Sequence, residues 1–218
     1  MRIGLDIDGT LTDFEKFILD NSSKYMKNKH DLDIININGY DVDEVFDIEN
    51  ELIKRGCYNE LASRKNKEIL SDFWKKYYLK YCIFTPFRNG AKETIKKLYN
   101  EGHEIYIFSS RKNTCDNSLL GKFVRNTTKL QLLINGIIFH KLFLFPNDEE
   151  KIAAIRNNNI NLMIDDKPKL IEEVSKFTNV FCINTNYNQN CSIRPEVHRI
   201  NDFIDGNILQ IINKTLNK

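Results

Sequence analysis

Apolar and polar residues alternate along much of the chain in a way that predicts strands separated by helices. Short continuous apolar runs are typical of strands that are buried on both faces of a parallel sheet. The predicted strands are Ile3–Ile7, Glu104–Phe108, Lys141–Phe145, Asn161–Ile164 and Val180–Ile183. Apolar residues between the later runs recur at helical spacing, as in residues 91–99. We therefore expect an α/β fold, a Rossmann-like parallel sheet core with helices on both faces.

Residues 14–83 depart from this alternation. Their apolar residues follow helical spacing in three stretches, and no convincing strand pattern lies between them. We therefore expect a small helical domain of residues 14–83, inserted after the first strand. Residues 1–13 and 84–218 would then form the α/β core.

The last part of the chain gives weaker signals. Asn184–Arg199 is polar and rich in Asn, without periodicity, so it is predicted to be a surface loop. Tyr187-Asn188 and Arg194-Pro195 could reach a site at the end of the sheet from this loop, but a plain surface loop is the favoured prediction. Asp202–Leu216 is amphipathic and is predicted to pack back on the sheet.

Composition limits the classes of function. The chain has 218 residues, of which 41% are hydrophobic and 28% charged, with a formal net charge of +2. These values are ordinary for a globular protein and give no support for a nucleic acid polymer as partner. No apolar run reaches the roughly 20 residues that span a bilayer, and the N-terminus lacks a signal-peptide pattern, so we expect a cytoplasmic protein. The five cysteines include no Cys-x-x-Cys pair, which argues against a disulfide framework or a zinc site.

The strongest chemical signal is a pair of aspartates at the end of the first predicted strand. Asp6 and Asp8 are two residues apart, so on an extended backbone they project to the same side. Two carboxylates at the end of a buried strand repel each other and are costly to desolvate. A divalent cation would remove that cost, and oxygen ligands of this kind suit Mg²⁺.

Other polar groups follow later strands. Ser109, Ser110 and Arg111 stand at the end of the second strand, and Asp165-Asp166 ends the fourth. Lys151 lies in the first turn of a helix predicted to begin near Glu149, where the helix dipole disfavours a cation. That penalty indicates that Lys151 has a function in the site. Lys141 is an alternative candidate for this function. Since ligands bind at the carboxyl ends of strands in open α/β sheets, these groups are predicted to form one site.

These motifs, in this order, resemble those of the haloacid dehalogenase superfamily, beginning with Asp-Ile-Asp-Gly-Thr-Leu at residues 6–11. The resemblance implies that Asp6 is the nucleophile that forms an aspartyl-phosphate and that Asp8 is the acid/base. It further implies that Lys151 stabilises the charge on the nucleophile and on the phosphate. The remaining roles are Mg²⁺ ligation by Asp6, Asp8, Asp165 and Asp166, and substrate binding by Gly9, Ser109, Ser110 and Arg111. Asp166 is favoured over Asp165 as the direct ligand, but the sequence leaves both open.

The resemblance also suggests a substrate class. Ser-Ser-Arg at residues 109–111 is similar to the Thr-Ala-Arg of the deoxyribonucleotidase-like (nucleotidase type C) branch, and the helical insertion resembles a cap domain. We therefore expect a magnesium-dependent phosphomonoester hydrolase that acts on a small-molecule phosphate ester, with a nucleoside monophosphate as the leading substrate. A sugar-phosphate phosphatase, a phosphotransferase or mutase, and a phosphate-binding regulatory module remain alternatives. The oligomeric state is left open.

Overall fold

The chain folds into two compact units. The computed structural model describes residues 1–191, 194–204, 208 and 212. One unit is Phe14–Thr85, and the other combines Met1–Asp13 with Pro86–Lys218. The first unit ends two residues later than the sequence suggested, because its last helix continues to Phe84. Most of the segment Asp202–Leu216, which was predicted to pack on the sheet, lies outside the described residues.

The described residues form six strands and a set of helices around them. The strands are β1 (Arg2–Leu5), β2 (Glu104–Ser109), β3 (Lys141–Leu144), β4 (Leu162–Asp165), β5 (Asn179–Ile183) and β6 (Val197–Ile200). The helices of the Phe14–Thr85 unit are α1 (Phe14–His30), α2 (Val42–Phe46), α3 (Ile48–Lys54) and α4 (Asn59–Phe84). The helices of the other unit are α5 (Ala91–Asn100), α6 (Leu119–Ile134), α7 (Asp148–Asn157) and α8 (Pro168–Val174).

The described strands make a single parallel sheet in the order β3-β2-β1-β4-β5-β6. Side chains alternate between its faces: Ile105 and Ile107 of β2 pack with α5 and α6, while Tyr106 and Phe108 pack with α7 and α8. Both faces are therefore covered by helices, and the predicted α/β fold is confirmed. Since the strands are parallel, their carboxyl ends lie along one edge.

Strand β6 was not predicted. Its four residues pair in parallel with β5, so the prediction of an unbroken surface loop over Asn184–Arg199 is wrong for this part. Val197 and Ile200 are buried, whereas the two residues between them are half-buried. A strand with only two apolar side chains shows no clear alternation in the sequence, and its pairing with β5 supplies the order.

The helical unit has one helix more than the expected three, because the predicted helix from Val42 is divided in two. Asp47 adopts a left-handed conformation (φ 48°), which ends α2 and precedes α3. Asp41 caps α2 by accepting hydrogen bonds from the N–H groups of the next helical turn. Among the described residues, no helix is both long and apolar enough to cross a membrane.

Candidate active site

The polar groups singled out by the sequence lie at the carboxyl edge of the sheet. Asp6 follows β1, Ser109 ends β2 and Asp165 ends β4, while Lys151 is on α7, directly after β3. Strand β1 has β2 on one side and β4 on the other, so the direction in which the sheet grows reverses beside Asp6. Open α/β sheets bind their ligands at such a switch point.

Lys151 joins two of the aspartates. Its Nζ donates to Asp6 Oδ1 at 2.5 Å and to Asp165 Oδ2 at 2.9 Å, and its side chain is 2% exposed. Burial opposes the charged form of Lys151, but the negative charges of Asp165 and Asp6 outweigh it and raise the pKa of Lys151. The buried ammonium is therefore held in its charged state between two carboxylates.

The backbone around Lys151 explains how a lysine is tolerated at a helix start. Asn147 caps α7 by accepting a hydrogen bond from the Glu150 N–H. Three acidic residues in the first turn of α7 also interact favourably with the positive end of the helix dipole. Lys141, the alternative considered from the sequence, is exposed, and its Nζ lies 4.9 Å from the centre of the Tyr106 ring.

Asp166 is fixed by hydroxyl groups from two loops. Thr10 Oγ1 donates to Asp166 Oδ1 at 2.7 Å, and the Tyr187 hydroxyl donates to Asp166 Oδ2. Asn188 Nδ2 donates to the Asp166 main-chain oxygen at 2.8 Å. Burial and the charge of Asp165 raise the pKa of Asp166 to about 7, although these hydroxyls favour the ionised form.

Gly9 is required by its distance from Asp166. A Cβ atom at Gly9 would lie 2.2 Å from Asp166 Oδ2, and its φ of +90° is one that other residues rarely adopt. Arg88 Nε donates to the Gly9 main-chain oxygen at 2.9 Å. The turn after β1 therefore lies directly against the second aspartate of the Asp165-Asp166 pair.

The sequence did not predict that Thr10, Tyr187 and Asn188 all contact Asp166, and for the latter two a plain surface loop was favoured. Thr10 lies inside the first motif, but its hydroxyl had no assigned role. Tyr187 and Asn188 follow β5 at the same edge of the sheet, and that position was the available signal.

Three carboxylates could hold a metal ion. One oxygen from each of Asp6, Asp165 and Asp166 lies within 4.8 Å of the others. Burial first, and then the negative charges of Asp165, Asp166 and Asp8, raise the pKa of Asp6 well above its usual value, against the opposing charge of Lys151. A buried all-oxygen set with excess negative charge fits a hard divalent cation such as Mg²⁺.

Asp8 is not one of those three grouped carboxylates and pairs with Arg111. Arg111 Nε lies 3.1 Å from Asp8 Oδ1 and 3.0 Å from Oδ2, and Arg111 Nη2 lies 2.5 Å from Oδ1. The structure thus brings these two residues together, and Asp8 as a metal ligand stays a prediction.

The two serines after β2 have different surroundings. Ser109 is fully buried, and its Oγ accepts a hydrogen bond from the Arg111 backbone N–H at 3.2 Å. Ser110 Oγ donates to Asp148 Oδ1 at 2.7 Å, and Lys167 Nζ pairs with Asp148 Oδ2 at 2.6 Å. Burial disfavours the ionised form of Asp148, but these two partners outweigh it and lower the pKa of Asp148. The loops after β2, β3 and β4 are therefore tied together.

Comparison with known proteins supports the predicted resemblance to haloacid dehalogenase superfamily phosphatases. A "putative nucleotidase" of Bacillus cereus is 29% identical over 197 residues, which cover 88% of this chain and 91% of the relative. No family profile matches the chain.

Solved structures show the same fold. A structure named "putative phosphatase", from Clostridium difficile, has a TM-score of 0.65 at 16% identity, with 97% of each chain covered. A haloacid dehalogenase superfamily hydrolase of subfamily IA, from Geobacter sulfurreducens, has a TM-score of 0.55 at 14% identity and covers 97% of this chain and 95% of its own. At these identities the likeness establishes the fold alone.

Proposed function

We propose that the protein is a magnesium-dependent phosphomonoester hydrolase that acts through an aspartyl-phosphate on Asp6. The observation that carries this proposal is the contact of Asp6 with the buried ammonium of Lys151, beside two further carboxylates. A carboxylate attacks a phosphate dianion only when nearby positive charge reduces their repulsion. Lys151 is in position to supply part of that charge.

The metal would be held by the carboxylates at the switch point. Asp165 accepts hydrogen bonds from Lys151 Nζ and from the Lys167 backbone N–H, whereas the side chain of Asp166 accepts from two neutral hydroxyls. Asp6 and Asp166 are therefore proposed as direct ligands, and Asp165 would orient Lys151. Bound Mg²⁺ would screen the charge between Asp6 and the phosphate.

The reaction has two steps. In the first, a carboxylate oxygen of Asp6 bonds to phosphorus as the bond from phosphorus to the ester oxygen breaks, and Asp8 gives its proton to the leaving alcohol. In the second, a water oxygen bonds to phosphorus and the bond from phosphorus to Asp6 breaks, while Asp8 takes the proton from water. Ser109 and the backbone N–H groups after β2 are proposed to bind the phosphate oxygens.

A nucleoside monophosphate is the proposed substrate. The Bacillus cereus relative is named as a nucleotidase, and residues 109–111 resemble the motif of the nucleotidase branch. A phosphotransferase or mutase would use Asp6 and Asp8 in the same way but would give the phosphoryl group to a second substrate. Release of inorganic phosphate in the absence of any acceptor separates these reactions.

A panel of phosphate esters tests the proposal. Purified protein is assayed for phosphate release with nucleoside monophosphates and sugar phosphates, with Mg²⁺ and with a chelator. We expect release that needs Mg²⁺ and that Asp6→Asn abolishes, since an amide cannot form the acyl-phosphate. Asp8→Asn should reduce turnover by roughly 10²–10⁴-fold, the usual range for a positioned acid/base. Near wild-type turnover by Asp6→Asn would exclude the covalent mechanism.

A further inference from the structure

The guanidinium group of Arg111 forms hydrogen bonds on two sides. One edge of its guanidinium, Nε and Nη2, pairs with the Asp8 carboxylate, with distances from 2.5 to 3.1 Å. The remaining nitrogen, Nη1, donates to Thr128 Oγ1 at 3.1 Å and to Gln131 Oε1 at 3.2 Å. Both of those partners are on α6, so Arg111 connects this helix to Asp8.

Burial makes this connection rigid. The side chain of Arg111 is 1% exposed, and Thr128 and Gln131 are buried as well. A guanidinium is planar and presents its donors in a fixed geometry, so partners on two sides define its orientation. The carboxylate of Asp8, by contrast, keeps some exposure, 18% of its side chain.

We propose that Arg111, held by Thr128 and Gln131, is a positioning residue that sets the orientation of the acid/base Asp8. This inference rests on the proposed hydrolase function. From the sequence, Arg111 was expected to contact phosphate or substrate, and its contacts give it a role through Asp8 instead.

The pairing also distinguishes the two oxygens of Asp8. Oδ1 accepts from both Nε and Nη2, at 3.1 and 2.5 Å, while Oδ2 accepts from Nε at 3.0 Å. Arg111 therefore contacts Oδ1 with two of its nitrogens and Oδ2 with one.

The test compares two esters of similar size. Phenyl phosphate and p-nitrophenyl phosphate differ mainly in how much their leaving oxygen needs a proton. If Arg111 orients Asp8, Arg111→Lys should lower kcat/KM for phenyl phosphate by on the order of 100-fold, the effect of misplacing a reacting group by about 1 Å. The loss for p-nitrophenyl phosphate should be several-fold smaller, and guanidinium ion added to Arg111→Ala should restore part of the activity on phenyl phosphate.

Two further variants distinguish a loss of positioning from misfolding of the Arg111 variants. Thr128→Val keeps the shape of the side chain but removes its hydroxyl, and it should give the same ester dependence more weakly. Arg125→Gln is the matched control, because Arg125 is also on α6 but donates to the main-chain oxygens of Thr114 and Asp116. It should lower the unfolding temperature without changing the ratio of the two esters.

The outcomes separate the inference from the proposed function. If wild-type protein hydrolyses neither ester nor any phosphate in the panel, the proposed function fails. If it is active but Arg111→Lys and Thr128→Val lower kcat/KM equally for both esters, the positioning role is wrong. A rise in KM alone would return Arg111 to substrate binding. Mg²⁺ affinity, measured by calorimetry, should be unchanged in both variants, because neither residue contacts the carboxylate cluster.

Discussion

Lys151 shows that a residue placed against a local preference, here that of the helix dipole, can indicate a functional site. A cation in the first turn of a helix is unfavourable, yet burial between Asp6 and Asp165 makes this lysine a counter-charge that both carboxylates require. Breaking such a buried pair typically costs about 3–5 kcal/mol, because the remaining charges have no partner. Lys151 therefore contributes to the stability of the folded protein as well as to the geometry of the site.

Replacing each of the two candidate lysines by alanine tests this assignment. Lys151→Ala should lower kcat by on the order of 10²–10³-fold, the range for removing one preorganised charge-stabilising donor. Lys141→Ala, which loses only the contact with the Tyr106 ring, should change kcat less than about threefold, as a cation–π contact is worth roughly 0.5–1 kcal/mol. Steady-state kinetics in saturating Mg²⁺, with circular dichroism to verify folding, make the measurement. The opposite ranking would move the catalytic lysine to residue 141.

The sequence indicated the charged residues of the site better than their neutral partners. Asp6 and Asp165 stand out because charges at the ends of buried strands are costly to desolvate, and Lys151 stands out because the helix dipole disfavours a cation in the first turn of a helix. The hydroxyls of Thr10 and Tyr187 do not stand out, since such residues are common in turns at little cost. Only the fold shows that both donate to Asp166.

At the scale of elements, the sequence predicted the central strands and missed a peripheral one. Strands β1, β2 and β4 are buried on both faces and read as apolar runs, whereas β6 lies at the edge of the sheet, where fewer apolar residues are needed. Helix α6 was also missed. It exposes Leu130 and Leu133 while burying Leu132, so apolar residues are not confined to one face.

The helical insertion joins the core through two connections that are paired with each other. Thr12 and Phe87 form an antiparallel bridge, the Asp13 N–H donates to the Pro86 main-chain oxygen at 2.9 Å, and the Arg88 N–H donates to that of Leu11 at 2.8 Å. The points where the chain leaves and re-enters the core are thus adjacent. A short linker could join them without straining the sheet.

At the scale of the whole molecule, we propose that Phe14–Thr85 acts as a cap that selects substrates while the core performs the chemistry. Replacing residues 14–85 by a short Gly-Ser linker should leave hydrolysis of a small ester such as p-nitrophenyl phosphate but abolish the preference among natural phosphate esters. Relative kcat/KM values for the same panel, measured on full-length and shortened protein, make the comparison. If the shortened protein kept the full ranking, specificity would reside in the core loops.

The stability of the metal-free protein should depend on pH through the buried carboxylates. The pKa of Asp166 is about 7 in the folded protein, against about 3.9 for an unfolded aspartate. Between these values the folded state binds the extra proton, so the free energy of unfolding should fall as pH rises, by on the order of a few kcal/mol. Asp6 acts in the same direction.

Urea denaturation at pH 5 and pH 8, with a chelator, measures this loss. Mg²⁺ should restore stability at pH 8, because it binds the ionised carboxylates of the folded state. Asp166→Asn should flatten the dependence. A metal-free protein that is equally stable at both pH values would contradict the raised pKa.

When ionised, Asp6, Asp8, Asp165 and Asp166 at the edge of the sheet carry more negative charge than their buried partners Lys151 and Arg111 balance. A phosphate dianion that approaches this edge without a metal ion meets repulsion, while a cation is attracted. For the hydrolase proposed above, binding of the two should therefore be cooperative, and each should raise the affinity of the protein for the other by the same factor. The protein would then respond to its substrate only where free Mg²⁺ is sufficient, so that the cation concentration sets the threshold at which a phosphate ester is recognised.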